Sequence, residues 1–113
     1  MIIHRVEHNR QRIRMDVCVC ESGIERARGL LLRRRPDNHT ALLMDRCSAV
    51  HTFGMTYPID VVFCDSSGRI LRIQPAVRPW RIVRHSGARY VWELRAGVTE
   101  ILGWQEGDRL SPC

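Results

Sequence analysis

The chain contains no lysine. All 18 of its basic residues are arginine, set against 12 acids, and together they give a net charge of +6 and a pI near 9.7. Its positive charge therefore rests on planar guanidinium forks, which can grip carboxylate or phosphate through two hydrogen bonds at once. No apolar run approaches the roughly 18 residues that a membrane-spanning helix requires. No export leader is expected, because Met1-Ile2-Ile3 is followed at once by His4, Arg5 and Glu7 with no apolar stretch. A cytoplasmic location with reduced thiols is the expectation. The five cysteines include no C-x-x-C pair; their odd number and irregular spacing exclude a disulfide framework and give no zinc-site pattern. Accordingly, no metal and no cofactor is expected. Without internal repeats, low-complexity segments or a linker, residues 1–113 read as one domain, long enough to bury about two thirds of its unfolded surface.

What is present is organised around His51 to Asp65, H-T-F-G-M-T-Y-P-I-D-V-V-F-C-D. Pro58 fixes its own φ, biases Tyr57 toward an extended conformation and cannot donate to a ladder, so it marks a strand start. The strand is Ile59 to Cys64, with Ile59, Val61 and Phe63 on one face and Asp60, Val62 and Cys64 on the other. Its β-branched and aromatic content favours strand over helix. Asp60 is the one residue that does not belong in such a run.

Arg12 to Cys20 alternates strictly, which predicts a half-buried strand with Ile13, Met15, Val17 and Val19 inward. Residues 1 to about 10 read as a lead-in strand or a loose arm. Ser22-Gly23-Ile24-Glu25 has the S-x-x-E form of a capping box, so a helix should begin there, with Ile24, Ala27 and Leu31 as its apolar stripe and Arg33-Arg34-Arg35-Pro36 at its end. Ala41 to Met44 is a short strand candidate. Asp65-Ser66-Ser67-Gly68 predicts a tight hairpin that pairs Ile59–Cys64 with a strand over Arg69 to Gln74. Pro75 to Ala88 reads as a long surface connection, and Arg89 to Arg95 alternates again. Val98 to Leu102 suits a short helix closed by Gly103, and a last short strand follows at Arg109 and Leu110. The sum is a β-rich α+β domain. It would be a compact, mostly antiparallel sheet or a partly closed small β-barrel, with one or two short helices.

Arg28-Gly29-Leu30, His51-Thr52-Phe53-Gly54-Met55, Pro58-Ile59-Asp60-Val61-Val62-Phe63, Asp65 to Gly68, Glu93-Leu94-Arg95-Ala96-Gly97 and Gly107-Asp108 occur in that order. As a combination over about residues 12–110, they resemble DUF192 (UPF0127), a family of small bacterial and archaeal proteins of uncharacterised function. Two departures stand out. The family's longer M-K-N-T-x-I-P-L-D form is shortened to Met55 through Asp60, and Arg95 replaces the proline of E-L-P-A-G. The resemblance implies a compact, mostly β fold and no established activity.

His51 and Asp60 are the candidate catalytic pair, since the loop between them could fold an imidazole toward a carboxylate and orient a general base. A hydrolase would also need a Ser or Cys nucleophile, and a metal enzyme further ligands, for which Glu93, Asp108 and Cys47 are the candidates. The competing expectation is that Asp60 bonds backbone N–H groups or Arg28 inside the fold. Glu93, unless paired, must face solvent or a cleft. Met44, Met55, Trp80, Trp92 and Trp104 could line an apolar pocket with a rim of Arg28, Arg78 and Arg81, suited to a small anionic ligand or an extended peptide. Nucleic-acid binding through Arg33–Arg35, Arg10, Arg12 and Arg14, or Arg78, Arg81 and Arg84 is disfavoured, because no recognised nucleic-acid signature accompanies them. The leading expectation is a non-catalytic binding or accessory module with a small cleft at Arg28, His51, Thr52, Met55, Asp60, Glu93 and Trp80, acting on a small anionic ligand or a protein partner. The alternative is a small hydrolase or metal-dependent enzyme using His51 and Asp60.

Overall fold

Proline and hairpin signals become strand boundaries in the computed structural model, which describes residues 2–20 and 37–112. The helix expected from Ser22, with Arg28 and Arg33–Arg35, lies outside the described residues. The strands are β1 (Ile2–His8), β2 (Gln11–Cys20), β3 (Thr40–Asp45), β4 (Ala49–His51), β5 (Ile59–Cys64), β6 (Ile70–Val77), β7 (Ile82–Arg84), β8 (Tyr90–Arg95) and β9 (Leu110–Pro112). The helix α1 spans Val98–Leu102. Seven strands form one sheet in the order β6-β5-β8-β3-β2-β1-β9, and β4 pairs with β7 in a separate two-stranded sheet.

The expectation of a mostly antiparallel sheet is refined at one place. β2 and β3 run parallel, Asp16 opposite Thr40 through Cys20 opposite Met44, while the other ladders are antiparallel. A parallel pair needs a connection of a dozen or more residues, and the segment after Cys20 has that length. The sheet is not closed into a barrel. Just before its edge strands β6 and β9, Arg69 and Arg109 form an isolated antiparallel bridge, flanked by backbone bonds from the Leu110 N–H to the Gly68 carbonyl at 2.9 Å and from the Ile70 N–H to the Asp108 carbonyl at 2.7 Å. At that junction Gly68 has φ 86°, and a Cβ there would collide with the Leu110 carbonyl oxygen.

Of the two alternatives for the lead-in segment the structure shows the strand: β1 pairs with β2. One further expectation is corrected. The supposed surface connection from Pro75 to Ala88 instead contains the end of β6 and all of β7. Proline is tolerated in β6 because this is an edge strand and the ladder bulges there: Val61 faces Gln74 while Ile59 faces Val77.

β5 and β8 are covered on both faces, so the sheet separates two apolar clusters. Val62, Cys64, Trp92 and Leu94 join Met15, Val17, Val98 and Trp104 on one face. Val61, Phe63 and Val91 join Leu42, Met44, Val50 and Met55 on the other. Trp104 meets Trp92 edge to face, with centroids 5.9 Å apart, a geometry that aromatic pairs favour.

Candidate functional site

Asp60 lies on the α1 face of β5, fully buried. Its Oδ1 accepts from the Ala76 N–H at 2.9 Å, and its Oδ2 accepts from the Gly97 N–H at 3.1 Å, the Thr99 N–H at 3.1 Å and the Thr99 hydroxyl at 2.7 Å. Each donor has a local cause. The bulge after Pro75 puts Ala76 at φ 48° and turns its N–H out of the ladder. Gly97, at φ 92°, is the N-cap of α1 and has no side chain with which to cap it. Asp60 supplies the missing acceptor from the neighbouring strand and binds β6, the turn after β8 and α1 together. A buried carboxylate is tolerated when hydrogen bonds replace its hydration.

Thr52 is fully buried and ties the end of β4 to residues 78–81, a few residues beyond Ala76. Its hydroxyl donates to the Arg78 carbonyl at 2.7 Å and accepts from the Arg81 N–H at 2.9 Å, while its backbone N–H donates to the Arg81 carbonyl at 2.9 Å. The Thr52 carbonyl accepts from the Trp80 N–H at 3.1 Å. This net holds Trp80 at φ 63°, a conformation that bulky residues rarely adopt. Trp80 is left 65% exposed and Phe53 44% exposed, with their rings stacked at 5.6 Å; His51 lies 4.9 Å from Phe53. Val50 packs into the core, so Ala49 and His51 face outward with their β7 partners Arg84 and Ile82.

Glu93 is buried on the β8 face that carries Val91, opposite Val61 and Leu42. Burial, with Glu93 contributing, pushes the Tyr57 hydroxyl above its ordinary pKa. Burial first, then neighbouring Cys18, pushes the Cys20 thiol up to about 11; the two sulfurs are 3.9 Å apart. Burial likewise raises Cys64 to about 12. Such thiols stay protonated at neutral pH and are poor nucleophiles.

The profile of the family described as "Uncharacterized ACR, COG1430" (DUF192) matches residues 4–112. The chain belongs to the DUF192 family. Relatives include the UPF0127 protein of Thermococcus sibiricus, 36% identical over 101 residues covering 83% of this chain and 64% of the relative. The UPF0127 protein of Pyrococcus horikoshii is 32% identical over 100 residues, covering 84% of this chain and 85% of the relative. The chain thus spans less than two thirds of the length of the Thermococcus relative. Among crystal structures, a Sinorhizobium meliloti protein provisionally described as a transcription regulator aligns with a TM-score of 0.81 at 27% identity, over 96% of this chain and 92% of that one. A Novosphingobium aromaticivorans protein of unknown function aligns with a TM-score of 0.80 at 19% identity, over 96% and 84%, and shows the shared fold.

In this DUF192 chain the candidate residues do not converge. Asp60 and Glu93 are carried on opposite faces of the sheet, since Asp60 pairs with Leu94 and Glu93 with Val61. His51 is not among the partners of Asp60. Arg28 lies outside the described residues. The apolar pocket expected from the methionines and tryptophans is not formed: Trp92 and Trp104 pack on one face, Met44 and Met55 on the other, and Trp80 stands outside. The suggested extra metal ligands are also dispersed. Cys47 donates to the Ala49 carbonyl at 3.1 Å, and Asp108 accepts from His8 at 2.7 Å. Among the described residues, no group of three or more His, Cys, Asp or Glu side chains is placed to hold a metal ion, and no helix is long and apolar enough to cross a membrane. The sequence reading overlooked Phe53 and Ile82, whose signal was the i, i+2 spacing of His51 with Phe53 and of Trp80 with Ile82. It also overlooked a recess that gathers Arg10, Arg69 and Arg109, residues far apart in the chain.

Proposed function

We propose that this protein is a non-catalytic binding module whose recognition surface is presented by the His51–Thr52–Phe53 segment and Trp80. The observation that carries this reading is the exposed Phe53–Trp80 stack, held by a buried Thr52 that keeps Trp80 at positive φ. Strain of this kind costs about 1–3 kcal/mol and persists where surrounding structure enforces it. Thr52 and Met55, both buried, support the surface from beneath, and His51, Phe53 and Trp80 meet the ligand. Glu93 and Asp60 belong to the scaffold. The partner is a small anionic ligand or a macromolecule bearing negative charge, and the setting is the reducing cytoplasm, in keeping with thiols buried as thiols at Cys20, Cys47 and Cys64.

The hydrolytic reading asks Asp60 to orient His51, yet both carboxylate oxygens are occupied by interior donors. A broad hydrolase screen with metal analysis, run on the wild-type protein and His51→Ala, separates the two. The binding module predicts no turnover and no stoichiometric divalent ion. Turnover that disappears in His51→Ala would overturn it.

A further inference from the structure

We infer that the outer surface of the β4–β7 sheet binds single-stranded nucleic acid, with bases stacking on Trp80 and Phe53 and phosphates meeting the arginines around them. This rests on the binding-module reading and names the ligand of that surface. It departs from the sequence expectation against nucleic acid because the exposed Phe53–Trp80 stack is an aromatic platform that no sequence signature announced. Charge is the first argument. Residues 46–59 and 75–88, which build the small sheet and its loops, contain Arg46, Arg78, Arg81 and Arg84 and not one Asp or Glu. All four arginines are exposed. The nearest acids in sequence are already engaged: Asp45 accepts from Arg89 Nε at 2.9 Å, and Asp60 is bonded in the interior. Exposed guanidinium groups with no carboxylate ion pair among the described residues attract a polyanion, and their planar forks suit phosphate oxygens.

The rings decide which polyanion. Trp80 and Phe53 stack on each other and remain open to solvent, with Ile82, 55% exposed, next to them. An acidic peptide would satisfy the arginines and leave these apolar faces in water. A duplex buries its base faces within its own stack. An unpaired strand offers both chemistries at once, because every base has a π-face and every linkage a phosphate; this combination of aromatic platform and basic surround is how sequence-tolerant single-strand binders work. The tight hold of Thr52 on the Trp80 backbone fixes the platform before the ligand arrives, which lowers the ordering cost of binding.

The test uses the full chain and fluorescein-labelled oligouridylate and oligothymidylate of about ten nucleotides, a length typical of single-strand sites. Anisotropy reports binding, and tryptophan emission reports stacking. Trp92 and Trp104 are buried, so quenching by a stacked base arises from Trp80. The expected result is saturable binding that quenches emission and weakens steeply between about 50 and 200 mM salt. Trp80→Ala and Phe53→Ala should each weaken binding roughly ten-fold, with Trp80→Phe restoring most of the affinity while abolishing the quench. Arg84→Ala, which touches neither ring, should lower the salt slope by about 0.7. The same sequence as a duplex, polyglutamate and free uridine monophosphate are the comparison arms. The inference is overturned by no binding at low salt, by equal affinity for duplex or polyglutamate, or by binding indifferent to both ring variants and Trp80→Phe. Because the hydrolase screen is read separately, a negative result here leaves the non-catalytic reading standing with a different ligand.

Discussion

The two ends of the segment between His51 and Asp60 are built on opposite terms. At Asp60 a carboxyl group is taken wholly inside, and the Ala76, Gly97 and Thr99 N–H groups and the Thr99 hydroxyl are turned toward it. At Phe53 and Trp80 large apolar rings are pushed outside, and the buried polar residue, Thr52, faces inward to hold them there. One side spends polar groups on integrity, and the other spends apolar groups on exposure. A polar residue in the core therefore marks the scaffold in this protein, and the proposed recognition surface is marked by exposed apolar residues.

The sharpest test of that contrast is Asp60→Ala. It leaves the Ala76, Gly97 and Thr99 donors without an acceptor in the interior, and should cost on the order of 2–4 kcal/mol in urea-induced unfolding. An unchanged midpoint would move Asp60 from scaffold to function. Thr52→Val comes next, at about 1–2 kcal/mol. It should also shift the emission of Trp80, since the residues flanking that ring lose their tether; a stability loss with no spectral change would break the link between Thr52 and the platform.

A smaller effect is expected in acid. The His8 ring, 2.7 Å away, holds the Asp108 carboxyl below its ordinary pKa. The unfolded chain then binds the proton more readily than the native one, so this stabilisation is present above the ordinary carboxylate pKa of about 3.9 and is lost as pH falls through the depressed native value. In Asp108→Asn, stability measured from pH 6 downward should therefore fall less steeply than in the wild type. An identical acid limb would remove Asp108 from that account. The smallest change should come from Trp80→Ala, within about 0.5 kcal/mol of wild type because the side chain is exposed. A loss above about 2 kcal/mol would mean the ring packs as core, and the contrast would fail.

Much of the fold was legible in the chain. The alternation at Arg12–Cys20, the hairpin at Asp65–Gly68, the strand after Pro58 and the short helix after Gly97 are local signals, and each one appears in the structure. The parallel pairing of β2 with β3 was not legible, because the alternation within each strand sets its faces and not the direction in which it meets a strand about twenty residues away. Strand β7 was hidden by the prolines and arginines around it, which resemble a loop until β4 supplies its partner.

For the candidate residues the sequence showed which side chains are out of place in a core strand, and the structure showed what each of them touches. By itself the sequence determined that His51 to Asp65 is where the chain departs from an ordinary core strand, that Asp60 needs partners, and that positive charge is carried by arginine alone. Side-chain periodicity is fixed along a strand, so these facts follow from local order. Only the tertiary structure decided that Asp60 and Glu93 point to opposite faces, that Asp60 caps α1 across strands, and that Phe53 meets Trp80. Those relations join residues tens of positions apart, and the pairing of β4 with β7 and β5 with β8 brings them together.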